Sequence, residues 1–386
     1  MKIEERIARR QRADDAVVPE YDAINPVVHL SEPVGRGTAV EQLLDVVLPT
    51  TTAQPTDGYV WGPKGAGKSA VVRPLFEQLR RLLGRSENRL YTSTRAAPAP
   101  NVRFVYVDAR RAQSAFALLH TVVDTVIAES IPRQGVGRAA IVKRLTDHLA
   151  GTNRQLSVAV DHVDEPETLS TDAVFEQFDA FGDAVGCLAV GRDAPRETVV
   201  SNRPDTETVH IDAYSHYSLL EVLTSRVADG RLRTVTTDEQ LTALARWAEG
   251  DAHDALAALF GAGVTAEKRG CDRIGPAELA TGMEAVPQPC VALGRVVSLP
   301  TTRKRIVRQL LAVAEADRSS VGTAADAISD AVDLSRATIE RVLYELAESG
   351  IIRRVKTGET TATGRPPSRL EPRFPTLVFE HLETEG

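Results

Sequence analysis

The sequence predicts an α/β fold, in which a parallel β-sheet with helices on both faces precedes a helical region and a C-terminal winged helix. Short apolar strands alternate with helices of ten or more residues up to about residue 211. The pattern is then purely helical to about Val286, and the chain ends in a helix-turn-helix pattern followed by two strand-like segments. Alternation of the first kind is typical of a parallel sheet that is buried on both sides.

Length and composition are those of a globular chain of two or three domains. Of the 386 residues, 42% are hydrophobic and 26% are charged. No apolar run reaches the roughly 18 residues that span a membrane, and the N-terminus, MKIEERIARRQRADD, is too charged for a signal peptide. Three scattered cysteines without a C-x-x-C pair argue against a zinc site and a disulfide framework. We therefore expect a cytoplasmic protein with no membrane partner.

Acidic residues outnumber basic ones, and most of the basic residues are arginines. The net charge is −7, with 53 acidic residues, and only seven of the 46 basic residues are lysines. This balance is typical of a salt-adapted or GC-rich organism such as a halophile, and codon bias alone is the alternative. In either case it reports habitat and solubility more than function.

The elements of the first part follow in a regular order. A helix over Thr38–Leu48 precedes the apolar strand Gly58–Trp61, which runs directly into a glycine-rich loop and the helix Ser69–Leu83. The other predicted strands are Val102–Val107, Ser157–Val160 and Cys187–Val190. The helices between them are predicted over Ala115–Glu129, Val136–Leu149 and Asp172–Phe181.

The glycine-rich loop is a complete G-x-x-x-x-G-K-S motif. Its glycines let backbone amides point at phosphates, Lys68 supplies a point charge, the Ser69 hydroxyl can ligate Mg²⁺, and the helix that begins there adds its dipole. A strand before the loop and a helix after it favour this interpretation over a chance glycine-rich turn. The residues predicted to bind ATP, ADP or a related nucleotide are Gly62, Pro63, Lys64, Gly65, Ala66, Gly67, Lys68, Ser69 and Ala70.

A second acidic site is predicted where the strand ending at Val160 runs into Asp161. A carboxylate at the end of a neighbouring strand is needed to hold Mg²⁺ beside Ser69. In many ATPases with a phosphate-binding loop, a Glu that activates water directly follows this carboxylate. Here His162 follows Asp161, and Glu165 is the nearest Glu that could take that role. Asp161 and Glu165 are thus the candidate catalytic residues. In a shifted register Asp164 would be the metal partner, and a plain turn cluster at Asp164–Pro166 is the other alternative.

At this point the chain resembles the archaeal AAA+ initiator ATPases of the origin-recognition and cell-division-control type, over nearly its whole length. Glu32–Gly37 resembles the family's N-terminal box, so Arg36 is implied to contact nucleotide. Asp161–Asp164 resembles the D-E-x-D motif, and Tyr214, which lies where the family's lid begins, is also implied to contact nucleotide. Gly250–Leu256 resembles the second-sensor motif.

Three positions depart from the pattern of that family. His162 replaces the Glu, Arg192 or Asp193 stands where the first sensor has a polar Asn, and His253 replaces the second-sensor arginine. Neither Arg196 nor Arg203 falls in register for an arginine finger. His253 is expected either to sense the nucleotide or to be a solvated helix residue, since imidazole lacks the guanidinium fork. The resemblance thus implies a divergent member that binds ATP and is at most a slow ATPase.

The pattern of the last part of the chain predicts a helix-turn-helix followed by a β-hairpin wing. Helices are predicted over Thr302–Ala314, Gly322–Ala331 and Ser335–Glu348, and strands over Ile351–Lys356 and Pro367–Phe374. The third helix begins with residues suited to reading base edges, and residues 351–373 carry a local charge of +4. The predicted contacts with double-stranded DNA are Ser335, Arg336, Thr338, Arg353, Arg354, Lys356, Arg365 and Arg369.

Four domains are expected from these patterns. They are an N-terminal arm at 1–27, a nucleotide-binding core at 28–212, a helical lid at 213–290 and a winged helix at 295–386. Lid helices are predicted over Ser218–Ala228, Asp238–Glu249 and His253–Phe260.

Two functions fit this organisation. The first is an ATP-switched protein that initiates replication at origins, with a replicative helicase or other replication proteins as partners, oligomers on DNA and a nucleoid location. The second is a nucleotide-sensing transcription regulator with a degenerate ATPase, which the three departures favour.

Overall fold

The computed structural model describes residues 16–48, 54–83, 101–127, 129–151, 154–232, 234–356 and 368–385. The chain divides into two compact units, of which one is His29–Tyr214 and the other combines Met1–Val28 with Ser215–Gly386. The short helix α1 (Tyr21–Ile24) belongs to the second unit. The boundaries predicted for arm, core, lid and winged helix stay predictions.

The unit His29–Tyr214 is a five-stranded parallel sheet in the order β2-β3-β4-β1-β5, with helices on both faces. Its strands are β1 (Gly58–Trp61), β2 (Asn101–Asp108), β3 (Arg154–Asp161), β4 (Val185–Val190) and β5 (Glu207–His210). Its helices are α2 (Gly37–Val47), α3 (Lys68–Leu83), α4 (Ala115–Val126), α5 (Arg138–Leu149) and α6 (Thr171–Asp179). The α/β class predicted from the sequence is confirmed.

The two faces of the sheet bury separate apolar clusters. Helices α2 and α3 supply residues such as Leu43 and Phe76 to one cluster, and α4, α5 and α6 supply residues such as Leu118 and Phe175 to the other. Since all strands are parallel, their carboxyl ends meet at one edge. The register places Asp161 beside both Asp108 of β2 and Val190 of β4.

Strand β5 was not predicted from the sequence. It reads Glu-Thr-Val-His, and of these residues only Val209 is buried. One apolar residue in four gives too little alternation to mark a strand, and the strand lies at the sheet edge, where its outer side needs no apolar cover.

The second unit is helical and ends in a winged helix. Its helices are α7 (His216–Asp229), α8 (Asp238–Trp247), α9 (Ala252–Arg269), α10 (Pro276–Glu284), α11 (Leu293–Val297), α12 (Thr301–Ala312), α13 (Val321–Ser329), α14 (Arg336–Glu348) and α15 (Thr376–Glu385). Strands β6 (Ile352–Lys356) and β7 (Ser368–Pro372) form an antiparallel pair after α14. Three helices followed by this hairpin confirm the predicted winged helix.

Helix α9 is longer than the sequence pattern predicted. Beyond Phe260 it continues through Gly261–Ala266, where every residue is buried. A helix that is buried on all sides shows no 3.6-residue alternation of apolar and polar positions. The sequence pattern therefore predicted the helix over His253–Phe260 and missed its continuation, although the first part is almost as buried as the second.

Residues 16–28, here called the N-terminal strap, pack within the second unit. The backbone amide of Val18 donates to Glu267 of α9, at 3.2 Å. The ring of Tyr21 lies 4.5 Å from that of Phe260 in α9 and 4.2 Å from that of His381 in α15, between ring centroids. The described part of the predicted arm therefore forms part of the folded unit.

Arg226 of α7 fixes the strap from the other side. It is buried, and its guanidinium donates to the carbonyl oxygens of Ala23 at 2.9 Å and Val28 at 2.7 Å. Arg226→Ala is expected to lower the free energy of unfolding by about 2–3 kcal/mol, because two half-buried carbonyl oxygens lose a charged donor. Chemical denaturation would measure this, with Arg231→Ala as the control, since that guanidinium is 74% exposed in its pair with Glu20. Equal stability of the two variants would contradict an anchoring role for Arg226.

No helix in the described ranges combines the length and the apolar character required to cross a membrane.

Candidate functional site

The phosphate-binding loop follows β1 and ends where α3 begins at Lys68. Gly62 and Gly67 have φ angles of +146° and +87°, a region that side chains with a Cβ rarely adopt. A Cβ on Gly62 would lie 2.1 Å from the carbonyl oxygen of Ile211, so no larger residue fits there. The structure brings all the predicted loop residues, through Ser69 and Ala70, to the carboxyl edge of the sheet.

The Lys68 ammonium lies against its own loop. Its Nζ donates to the carbonyl oxygen of Gly62 at 2.6 Å and to that of Pro63 at 2.8 Å. These contacts hold the charge at the mouth of the loop, next to the first turn of α3. Backbone amides, a helix N-terminus and this ammonium together form a site for an anion such as a phosphate group.

Arg36 and Tyr214 form a wall beside this loop. The guanidinium carbon of Arg36 lies 3.7 Å from the centroid of the Tyr214 ring, and a guanidinium nitrogen donates to the carbonyl oxygen of Asp212 at 2.7 Å. Tyr214 in turn packs so closely on the loop that a Cβ on Gly67 would lie 2.5 Å from its hydroxyl oxygen. Tyr214, one of the residues implied by the family resemblance to bind nucleotide, therefore adjoins the loop, and Arg36 stacks on Tyr214.

Asp161 is buried at the end of β3 and is held by two donors. The Tyr106 hydroxyl donates to its Oδ2 at 2.7 Å, and the backbone amide of His162 donates to its Oδ1 at 2.8 Å. Burial, together with the neighbouring charge of Asp161, raises the pKa of Tyr106 well above its usual value, so Tyr106 remains a phenol donor. The two carboxylate oxygens still have lone pairs to offer, since a carboxylate accepts about four bonds.

Magnesium fits the groups present at this edge. The Asp161 carboxylate and the Ser69 hydroxyl are both hard oxygen ligands, which is the type that Mg²⁺ prefers. Asp108 is not available in the same way, because Arg110 binds both of its oxygens at 2.9 Å. Burial of Asp108 opposes its ionisation, but the bonds and charge of Arg110 outweigh burial and lower the pKa of Asp108.

Glu165 is tied to the end of strand β4. Its Oε1 accepts a hydrogen bond from the Arg192 guanidinium at 2.8 Å and lies 3.6 Å from Nδ1 of His162. Burial favours the neutral form of Glu165, but the His162 imidazole and the Arg192 guanidinium outweigh burial and lower its pKa to about 2. Glu165 is therefore a paired carboxylate and a poor proton acceptor.

His162 lies between two carboxylates. Its Nε2 is 3.6 Å from Oδ2 of Asp161, on the opposite side of the ring from Glu165. The residue has a φ of +66°, in the left-handed region that costs a side chain about 1–3 kcal/mol. Such local strain is concentrated at functional sites, where the surrounding structure holds it in place.

Asp164 has a structural role in this loop. Its carboxylate accepts a hydrogen bond from the backbone amide of Thr171 at 2.9 Å and another from the Thr171 hydroxyl, at the start of α6. The shifted register in which Asp164 would be the metal partner thus has no support from the position of this side chain.

His253 is enclosed in the second unit. Its Nε2 accepts a hydrogen bond from the backbone amide of Leu293 at 2.8 Å, so this nitrogen carries no proton. The other ring nitrogen, Nδ1, then donates to Oδ1 of Asp254 at 2.8 Å, which describes a neutral imidazole that joins the starts of α9 and α11. Of the two expectations for His253, a solvated residue does not describe it, and its role in nucleotide binding stays a prediction.

Sequence reasoning missed Tyr106 and the partners of Glu165 and Asp108. Tyr106 stands two residues before Asp108 on β2, and a polar hydroxyl inside an apolar strand is the one signal that could have marked it. Arg203, considered as an arginine finger, is bound to Asp179 at 2.6 Å and packs over Phe175, whereas Arg196 is 85% exposed.

The predicted DNA-reading helix is α14. The Ser335 hydroxyl accepts from the backbone amide of Thr338 at 3.3 Å and thereby caps the helix. Arg336 is 57% exposed, and its Nε lies 3.0 Å from Glu340 and 3.2 Å from Asp326. The N-terminal end of α14 therefore presents a guanidinium that is bound to carboxylates of its own domain.

The wing carries the remaining predicted contacts on different faces. Arg354 lies over the Tyr344 ring of α14, at 5.0 Å from the centroid, whereas Arg353 and Arg369 both bind Glu371. Lys356 is exposed at the end of β6, and Arg365 lies outside the described residues. Arg353 and Arg369, two of the six basic residues behind the local charge of +4, are thus held in ion pairs.

Comparison with known proteins gives the following matches. The family model described as AAA ATPase domain matches residues 32–180. Over 246 residues the chain is 27% identical to ORC1-type DNA replication protein 9 of Halobacterium salinarum, covering 62% of this chain and 63% of that protein. A second relative, ORC1-type DNA replication protein 1 of the same organism, is 26% identical over 249 residues, covering 62% of this chain and 73% of its own length. The chain thus spans less than two thirds of the first of these relatives. Their haloarchaeal source agrees with the salt-adapted composition.

Solved structures share the fold over nearly the whole chain. The Aeropyrum pernix Orc1 protein in complex with DNA has a TM-score of 0.64 at 16% identity, covering 96% of this chain and 97% of that one. Cdc6p from Pyrobaculum aerophilum has a TM-score of 0.56 at 16% identity, covering 96% and 100%. With the P-loop and the strand order, these likenesses show the α/β fold of an AAA+ ATPase followed by a winged helix, and the chain is similar in sequence to proteins of the origin-recognition type.

Proposed function

We propose that the protein binds ATP with Mg²⁺ and double-stranded DNA, and that it acts in the initiation of replication with ATP as a conformational switch. The observation that carries this proposal is a complete phosphate-binding loop at the same edge of the sheet as the buried Asp161, in a chain that also carries a winged helix. The names of its sequence relatives and the DNA complex of a structural neighbour support it.

The roles of the site residues follow from their geometry. Amides of the loop and Lys68 bind the phosphates, and Ser69 with Asp161 would hold the metal, which neutralises phosphate charge when bound. Arg36 and Tyr214 flank the nucleotide at the side of the loop. Tyr106 orients Asp161 through its hydrogen bond.

Hydrolysis is slow in this proposal. A general base must be free to accept a proton from water, but His162 stands in the place of the usual Glu, and Glu165 is held by Arg192. The ATP-bound state therefore persists, and the switch is reset slowly. A replicative helicase and further copies of this chain on DNA are the proposed partners, at the nucleoid in the cytoplasm.

The test is binding to duplex DNA from the source genome, measured by footprinting with ATP, ADP and no nucleotide. We expect a discrete protected site near an origin that needs ATP. Arg336→Ala should weaken binding to that site by roughly tenfold or more, because a base-edge contact is worth about 1–3 kcal/mol. ATP binding should be unchanged.

Two results would change the proposed function. Protection of promoters alone, with effects on transcription, would favour the nucleotide-sensing regulator. If the protein binds no DNA with ATP, with ADP or without nucleotide, DNA binding is not part of its function, and only the proposed ATP binding is left.

A further inference from the structure

The wing hairpin holds a carboxylate between two arginines. Arg353, Arg369 and Glu371 form this cluster, which we call the wing triad. Nε of Arg353 donates to Oε2 of Glu371 at 2.7 Å, and a terminal nitrogen of the same guanidinium lies 2.6 Å from that oxygen. Nε of Arg369 donates to the other oxygen, Oε1, at 3.0 Å. Each oxygen of Glu371 thus belongs to a different guanidinium.

The register of the hairpin creates this arrangement. Arg353 on β6 is directly opposite Glu371 on β7, and Arg369 is two residues before Glu371 on the same strand. Side chains two apart on a strand, and side chains directly opposite, share one face of the pleated sheet. The alternate residue Leu370 is buried, so the wing triad lies on the face that is turned away from the domain core.

The triad is more firmly held than an ordinary surface ion pair. The Glu371 side chain is 18% exposed, whereas the arginines are 51% and 38% exposed. Glu315 also binds Arg369, at 2.6 Å, but its side chain is 75% exposed. Exposed single ion pairs contribute little to stability, whereas a carboxylate bound by two planar guanidinium groups is also fixed in its geometry.

A DNA phosphate would bind these two guanidinium groups in the same way. Phosphate and carboxylate both present two oxygens that match the planar donor fork of arginine. Both arginines are among the predicted DNA contacts, and both side chains are partly exposed on the outer side of the wing. Glu371 is thus an acidic residue at the centre of the surface where an acceptor from DNA is expected.

Resting on the DNA binding proposed above, we infer that Glu371 occupies the position of a backbone phosphate and that duplex DNA displaces it from the two arginines. Glu371 is then an internal competitor. It lowers the affinity of the wing for any DNA backbone, and it restricts firm binding to sites where α14 makes additional base contacts.

The test compares two substitutions that remove the same charge. Glu371→Gln and Glu315→Gln each raise the net charge by one, but only Glu371 lies between both arginines. Binding to a random-sequence duplex would be measured by fluorescence anisotropy over a range of KCl concentrations, with thermal unfolding of each variant as a check of folding. We expect about tenfold tighter binding for Glu371→Gln, and a log–log salt slope that is steeper by about one or two counterions. For Glu315→Gln we expect a change below about threefold.

Three results would count against the inference. Weaker binding by a folded Glu371→Gln protein would mean that the carboxylate orients the arginines for DNA. Equal gains in both variants would mean that only bulk charge matters. Unchanged binding by Glu371→Gln, with normal binding by the wild type, would also contradict the inference. A separate outcome is that the wild type, Glu371→Gln and an Arg353→Ala, Arg369→Ala double variant all fail to bind duplex DNA. In that case the proposed DNA binding itself fails.

Discussion

Lys68→Ala is expected to lower the affinity for ATP by about 100-fold, since a charged hydrogen-bonding group at a phosphate contributes about 1.5–3 kcal/mol. The ammonium is already positioned at the loop by the carbonyl oxygens of Gly62 and Pro63. It is therefore pre-organised for phosphate, and alanine leaves no cation in its place. Calorimetric titration with Mg·ATP in high-potassium buffer measures the effect.

The matched control for that variant is Lys143→Ala. Lys143 lies on α5, its side chain is 75% exposed, and it pairs with Asp147 on the same helix. It shares residue type and charge with Lys68 but lies outside the loop, so ATP affinity should remain as in the wild type. Wild-type affinity in Lys68→Ala would show that the loop is not the nucleotide site.

His162→Glu is expected to raise the rate of ATP hydrolysis by about 100-fold, because a positioned general base contributes about 10²–10⁴. The position follows the buried Asp161 directly, and its backbone conformation is already fixed at the sheet edge. His162→Gln is the control, since glutamine has the same shape without a basic carboxylate. Phosphate release in a single turnover and the ratio of bound ATP to ADP would both be measured.

The pair of Arg192 with Glu165 gives a second way to examine the same step. Glu165→Gln should leave the low wild-type rate unchanged if the paired carboxylate does not activate water. Loss of turnover in that variant would instead assign the base to Glu165. An unchanged rate in His162→Glu, with ATP affinity intact, would mean that another departure from the family pattern limits hydrolysis.

The sequence predicted those parts of the fold that have a local cause. The loop from Gly62 to Ser69 and the apolar strands before Asp161 and after Gly186 are marked by spacing and by residue type. The winged helix is marked by the capping Ser335 and the amphipathic α14. These patterns depend on neighbours within a few residues, which is the range that a single sequence displays.

The partners of the charged side chains could not be predicted in the same way. Glu165 binds Arg192 across 27 residues, and Glu371 binds Arg353 through the register of a hairpin. The sequence shows the net positive charge of the wing, but it does not show which of the wing arginines are held by carboxylates. Distance in space decides the electrostatics of such groups, and it becomes known only when the strands are aligned.

The N-terminal strap has a consequence for the order in which the molecule is made. Residues 16–28 are translated before the P-loop unit, but the rings of Phe260 and His381 that enclose Tyr21 come after that unit in the chain. The P-loop unit is contiguous and can fold on the ribosome as it emerges. The unit that carries the wing is discontinuous in the chain, so its first segment stays without these partners until the P-loop unit has been translated.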